Sequence, residues 1–305
     1  MIARRSAISR ALPPQLGRDT RPGMDAARIA SRYAYNGTFD RALALRERYQ
    51  AEQSALGHQA VQVIRNVWDN NINPDPFSES WPDAYPLLRR IILHHYRASA
   101  ASAAKFYKGV YAVQGRGAIT VPHAIADVSR LDGISDAVAN GAFYHQLRKQ
   151  QREPGDASLI ARNSMSGAGA RFALMGGRNT VMQMTAMDPQ ATGWERITEP
   201  DACAFCMQNA AKGPFSPSMH DFHPHDYCNC VAVPLFTGQK PANAELKMQW
   251  QQVTQGKTGV EARAAWEEYN AANTATRDSS GQGSGPQEGR SNAGQAGRQA
   301  ALPNA

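Results

Sequence analysis

The chain has 305 residues, of which 42% are hydrophobic and 19% are charged, and its formal net charge is +7. This length permits two domains with cores of their own, and the composition is ordinary for a soluble protein. The N-terminus lacks the apolar core of a signal peptide and no run of eighteen apolar residues occurs, so we expect neither secretion nor a membrane partner.

The positive charge is unevenly distributed along the chain. Residues 1–60 contain ten Lys and Arg against five Asp and Glu, whereas residues 201–272 contain five against seven. The second segment holds all the cysteines, and its negative sign is wrong for a zinc finger that grips phosphates. The basic N-terminal region is the better candidate for a non-specific DNA contact, although a basic helix is more often just a solvated face.

The N-terminal part of the chain reads as helical. Residues 1–22 carry three prolines and a glycine and predict a flexible arm, and residues 25–55 are rich in the helix formers Ala, Leu, Arg and Glu. A proline-rich loop is predicted over 70–86. The clearest helix follows over 88–113, where apolar residues recur at steps of three and four.

Further helices are predicted over 122–130, 135–151 and 156–186, the last with a weak point at Gly176-Gly177. No alternation of apolar and polar residues typical of a strand occurs before residue 194. We therefore predict an all-helical domain over 23–190.

Two short strands are predicted over 194–197 and 231–236, on either side of the cysteines. They cannot bury enough surface to order the Pro- and Gly-rich loop between them, so a bound metal would supply the missing free energy. Two helices follow, over 242–255 and 259–271. These elements form a predicted zinc-stapled module over 191–272.

The predicted fold class is therefore mainly α. A helical N-terminal domain is followed by a small zinc-stapled α+β module with two short strands. Residues 273–305 are of low complexity and predict a disordered C-terminal tail.

All four cysteines lie within 28 residues of one another. Cys203 and Cys206 form a C-x2-C pair, and His225, Cys228 and Cys230 form an H-x2-C-x-C run. Together they offer more than the four sulfur and nitrogen ligands that a tetrahedral zinc needs. Two disulfides are the alternative, but clustered cysteines with nearby histidines in a chain without a signal peptide are more often metal ligands.

Four of these five residues form the predicted Zn²⁺ site. The C-x2-C pair and His225 are the firmest ligands, and Cys228 and Cys230 compete for the fourth position. His220 and His223 lie in the same stretch. We predict that both are loop residues, and an exchange of either one with His225 stays open.

Catalytic motifs are absent from the sequence. It contains no HExxH, no GxSxG and no GxxxxGK[ST], and no His is followed two places later by the Glu of a zinc deaminase. The surplus of ligands favours a closed structural zinc, since a catalytic zinc keeps one position for water. We predict a structural role for His94 and His95, no catalytic residue and no organic cofactor.

Several segments resemble the MuF-like minor head proteins of tailed phages, a family especially common in phages of actinobacteria. The resemblance rests on Gly-Trp194-Glu-Arg-Ile-Thr, on the C-x2-C pair, and on the H-x2-C-x-C run with the Val-Ala-Val-Pro-Leu-Phe236 that follows it. Ser99–Tyr107 (SAASAAKFY) and residues 248–259 (MQWQQVTQGKTG) also match its pattern. The resemblance covers residues 85–270.

This resemblance implies a minor capsid protein that acts in head assembly and in DNA packaging or delivery. Its expected partners are the portal protein, the major capsid protein or the scaffold protein. Its expected location is the phage head in the virion, and the host cytoplasm during assembly. Some relatives carry the label of capsid maturation protease, which is the enzyme alternative, but the sequence offers it no visible nucleophile.

Overall fold

The computed structural model describes residues 38–199 and 202–279. The predicted arm over 1–22 lies outside these ranges, as do the start of the first predicted helix and most of the predicted tail. Within them the fold is mainly helical with one two-stranded antiparallel sheet, as predicted. The elements, in chain order, are α1 (Thr38–Asn71), α2 (Phe77–Val113), α3 (Val128–Asp136), a π-helical segment (Ala137–Tyr144), α4 (His145–Arg148), α5 (Pro154–Met187), β1 (Ala191–Ile197), α6 (Ala204–Ala211), β2 (Val231–Phe236), α7 (Ala244–Val253) and α8 (Gly259–Ser279).

The three long helices α1, α2 and α5 pack against one another and form the body of the fold. Buried hydrogen bonds connect these three helices. The Ser99 hydroxyl of α2 donates to Gln53 Oε1 of α1 at 2.6 Å and accepts from the backbone N–H of Gly177 in α5 at 2.8 Å. Because these groups are buried, each needs a partner from a neighbouring helix, which specifies how the helices align.

Helices α2 and α5 cross very closely at Gly176. A Cβ atom at this position would lie 2.0 Å from the carbonyl oxygen of Tyr96 in α2. The helix is continuous through Gly176-Gly177, so the predicted weak point is instead the point of closest approach, where the absence of a side chain lets two backbones meet.

The predicted loop over 70–86 is wrong in its extent, because α2 begins at Phe77 and contains Pro82 and Pro86. Aromatic packing accounts for this early start. Phe77 stacks on Phe143 with ring centroids 4.0 Å apart, and Trp81 packs on Trp68 of α1 at 5.7 Å. Burying these rings offsets the backbone hydrogen bonds that the prolines remove.

Other helix bounds also differ from the predictions. Helix α8 continues to Ser279 and not to 271, so residues 273–279 of the predicted disordered tail are helical. Helix α1 continues to Asn71, well past the predicted end at residue 55, because Ile64 and Trp68 of its second half are buried in the core. Helix α3 begins only at Val128, where the Asp127 side chain accepts from the backbone N–H of Arg130 and caps it. It then runs into the π-helical segment without the predicted break between 130 and 135. Helix α6 was not predicted.

The two predicted strands are present, and β1 begins three residues earlier than predicted. They pair antiparallel, with Trp194 opposite Pro234 and Ile197 opposite Val231. All of β2 is buried. Its Phe236 packs on Tyr107 and Tyr111 of α2 with ring centroids 5.6 and 6.0 Å apart, so one hydrophobic core joins the sheet to the helices. The predicted domain boundary at 190 stays a prediction.

In the described part of the chain, no helix is long and apolar enough to span a membrane.

Replacement of Gly176 by alanine tests the close helix crossing. We expect Gly176→Ala to lower the free energy of unfolding by about 1–3 kcal/mol, because the new methyl group would meet the Tyr96 carbonyl. Gly155→Ala on the same helix is the matched control, since nothing lies within 4 Å of its added Cβ, and we expect it to stabilise the protein by about 0.5 kcal/mol. Urea denaturation measures both variants, and equal effects would contradict the crossing.

Candidate metal centre

The cysteine and histidine residues are presented by two local structures. Cys203 is the N-cap of α6 and Cys206 lies in its first turn, so the helix start places both sulfurs on one side. His225 and Cys228 are joined by a tight turn, in which the Cys228 N–H donates to the His225 carbonyl at 3.2 Å. Cys230 directly precedes β2. The pairing of β1 with β2 brings the second group back to α6.

All five predicted ligands come together around Cys206. Its Sγ lies 3.0 Å from His225 Nε2 and 3.7 Å from Cys228 Sγ, and Cys203 Sγ lies 3.2 Å from the same His225 nitrogen. Two overlapping groups, each with ligand atoms within 4.8 Å of one another, can hold a metal ion. One is Cys203, Cys206 and His225, and the other is Cys206, Cys228 and Cys230.

The orientation of His225 suits a metal ligand. Its Nδ1 lies 2.6 Å from the backbone carbonyl of Asp226, which requires Nδ1 to carry the proton. In the neutral ring Nε2 then keeps its lone pair, and this is the nitrogen that faces the two sulfurs. Metal-bound histidines in proteins are commonly oriented by a contact of this kind.

The cluster favours thiolates at two positions. Hydrogen bonding to Cys206 lowers the pKa of the Cys203 thiol to about 4. Hydrogen bonds with Cys206 and Cys230, together with the nearby arginines, hold the pKa of Cys228 well below its usual range. Cys206 instead favours its protonated thiol, since hydrogen bonds with the neighbouring cysteines raise its pKa. A metal would displace this proton when it binds.

The residues present fit a thiophilic metal. The ligand atoms in both groups are sulfur and imidazole nitrogen with no carboxylate oxygen, and this set suits zinc better than magnesium or calcium. The 3.7 Å between Cys206 and Cys228 matches the edge of a tetrahedron with metal–sulfur bonds of about 2.3 Å. All four cysteines are free thiols, so the alternative of two disulfides is absent from this structure.

The two other histidines of the loop stand apart from the cluster. His223 is 56% exposed in its side chain and its Nδ1 lies 3.2 Å from Asp221. His220 is exposed, and neither belongs to a group that can hold a metal among the described residues. Cys228 and Cys230 belong to the same group, so the choice between them stays a prediction, as does the set of four.

Two arginines that the sequence reasoning missed contact the cluster. Arg196 of β1 donates to Cys206 Sγ and Cys228 Sγ at 3.4 and 3.3 Å. Arg178 of α5 donates to the backbone carbonyls of Cys228 and Cys230. Arg196 carried a signal, because it belongs to the Gly-Trp194-Glu-Arg-Ile-Thr segment that resembles MuF-like proteins. Arg178 carried none, because its helix is separate in sequence from the cysteines.

Comparison with known proteins identifies a family. A family model described as "VG15 protein" matches residues 42–255. This segment contains α2, α5, the sheet and all five residues of the cluster. No curated protein and no solved structure matches the chain.

Cys206 should be the most sensitive residue of the centre, because it belongs to both groups that can hold a metal. We expect Cys206→Ser to weaken metal binding by at least about 100-fold, since a serine hydroxyl is a poor substitute for a thiolate ligand. Competition with a coloured chelator measures the affinity. His223→Ala is the control and should bind metal like the parent chain. A larger loss from His223→Ala than from His225→Ala would show that the two histidines exchange roles.

Proposed function

The chain belongs to the VG15 protein family, a family of phage proteins, and from that premise we propose that it is a minor head protein. In this proposal it docks on the portal protein or on the inner face of the capsid, through the major capsid or scaffold protein. It acts in head assembly and in DNA packaging or delivery. It reaches the head in the cytoplasm of the infected host and stays in the virion.

The observation that carries this proposal is the spatial arrangement of the residues that resemble MuF-like proteins. Trp194 stacks on Phe215 and Phe222 of the loop at 4.4 and 5.8 Å, and its Nε1–H donates to the Met219 carbonyl at 2.8 Å. Pro234 lies opposite Trp194 in the sheet. The residues that carry the resemblance to MuF-like proteins therefore pack together around the cysteines. Their contacts in space support the resemblance in addition to the similarity of sequence.

We propose that the metal is zinc and that its role is structural. Five sulfur and nitrogen donors for four positions leave no need for a water ligand, and Cys206, Cys228 and Cys230 are at most 3% exposed. The loop between α6 and β2 has no helix of its own, and its only β-bridge to β1 among the described residues joins Phe215 to Trp194. When bound, zinc would supply the free energy that orders this loop.

The proposed contact with DNA rests on charge. The basic N-terminal region, residues 1–60, lies largely outside the described residues. Within them, α2 presents four exposed basic side chains at a spacing that places them along one face; they are Arg90, Arg97, Lys105 and Lys108. A row of this kind supports non-specific contact with phosphates, with an affinity that falls steeply as salt is added.

Co-purification tests the binding role. We expect the full chain, co-expressed with the portal, scaffold and major capsid proteins of the same phage, to be retained by the tagged portal or by assembled shells. A portal protein from an unrelated phage is the matched control and should retain none. Mass spectrometry of purified virions should find the chain in a few copies per particle.

Two results would contradict this function. One is the absence of the chain both from portal and shell complexes and from virions. The other is cleavage of the scaffold or major capsid protein that depends on the chain and is lost when one of its serines or histidines is replaced. The second result would establish the maturation protease instead.

A further inference from the structure

Two buried arginines lie beside the metal centre without a carboxylate partner. Arg178 is 2% exposed and Arg196 is 1% exposed. Among the ion pairs formed by described residues, none involves either side chain. A guanidinium stays charged even when it is buried, and a buried charge without a counter-charge is strongly destabilising. The fold therefore needs an anion close to both.

In the proposed zinc centre, the cysteine thiolates would provide this anion, and both arginines contact the cysteine loop. Arg196 Nη2 bridges the Cys206 and Cys228 sulfurs at 3.4 and 3.3 Å, and its Nη1 donates to the Phe222 carbonyl at 2.8 Å. Arg178 Nε donates to the Cys230 carbonyl at 3.0 Å, and its Nη2 donates to the Cys228 carbonyl. One arginine thus holds the sulfurs and the other holds the backbone of the same loop.

Phe222 packs against both guanidinium groups. Its ring centroid lies 4.7 Å from the guanidinium carbon of Arg178 and 4.3 Å from that of Arg196. The ring is buried with them, so both cations receive a cation–π contact and are shielded from water. The arrangement places two cations on one aromatic ring beside the cysteine loop.

We infer that Arg178 and Arg196 are the counter-charges of the metal centre and that Arg178 couples the centre to the helical body of the protein. A zinc ion with four thiolates carries two negative charges, and a zinc ion with three thiolates and one histidine carries one. Either complex is an anion, and the two guanidinium groups offset it. Because Arg178 belongs to α5, metal binding also stabilises that helix against local unfolding.

This inference rests on the proposed zinc centre and goes beyond it. It assigns a role to residues that are not ligands, one of which lies 50 positions before the cysteine whose carbonyl it holds. A purely local zinc loop would need neither arginine. It would leave α5 unchanged when the metal is removed.

Four single variants test the counter-charge. We expect Arg178→Gln and Arg196→Gln each to weaken zinc binding by about 10–100-fold, the usual range for residues that support metal ligands. Arg178→Lys and Arg196→Lys keep the charge and should recover much of this loss. Arg162→Gln is the matched control, since Arg162 lies on α5 and pairs with Asp69 at 2.9 Å. Chelator competition gives each affinity, and circular dichroism confirms that each variant is helical.

The possible results distinguish a failure of the counter-charge inference from a failure of the proposed zinc centre. Glutamine variants that fold and bind zinc like the parent chain would overturn the inference while leaving the zinc centre intact. Lysine variants that lose as much affinity as the glutamine variants would overturn the role of charge. A parent chain that binds no zinc would overturn the zinc centre itself and the inference with it.

Hydrogen exchange on the unaltered protein gives a second test that does not depend on whether a variant folds. With zinc bound, we expect slower amide exchange in α5 around Arg178 and in β1 around Arg196, as well as in residues 203–230. Exchange that changes only within 203–230 when a chelator removes the zinc would overturn the coupling to α5.

Discussion

A cluster of buried sulfurs beside two buried guanidinium groups is the interaction on which the C-terminal part of this structure depends. Cys206, Cys228 and Cys230 are almost fully buried, and Arg178 and Arg196 are buried with them. Neither set is stable alone in an apolar interior, since thiolates and guanidinium groups both lose their hydration there. Together they form a compact polar centre that could hold a thiophilic metal, and the sheet and its loop pack around it.

The helical body imposes a second constraint, which is the close crossing of α2 and α5. Gly176 brings the two backbones together, and the Ser99 hydroxyl then reaches both Gln53 and the Gly177 N–H. This crossing aligns α5, and α5 in turn carries Arg178 towards the cysteine loop. The position of the metal centre therefore follows from helix packing as well as from the motif that supplies its ligands.

These features suit the structural role that we propose for the metal centre. The metal-ligand atoms of the cluster contact one another and Arg196. Trp194 packs on Phe222 of the surrounding loop and donates to its Met219 carbonyl. A rigid module on a long helical body would suit the docking role that we propose in the phage head. The metal would make this module independent of its partners for folding.

The sequence by itself determined most of the helices, the two strands and the set of five metal-ligand candidates, because each depends on spacing within a short stretch of chain. It also indicated a phage protein, through a resemblance carried largely by residues close to the cysteines. Only the tertiary structure decided where α2 begins, since the burial of Phe77 and Trp81 overrides the signal of two prolines. The same holds for Arg178, whose partners lie 50 and 52 residues away. Its contacts come from the packing of α5 on the loop, and no local pattern encodes them.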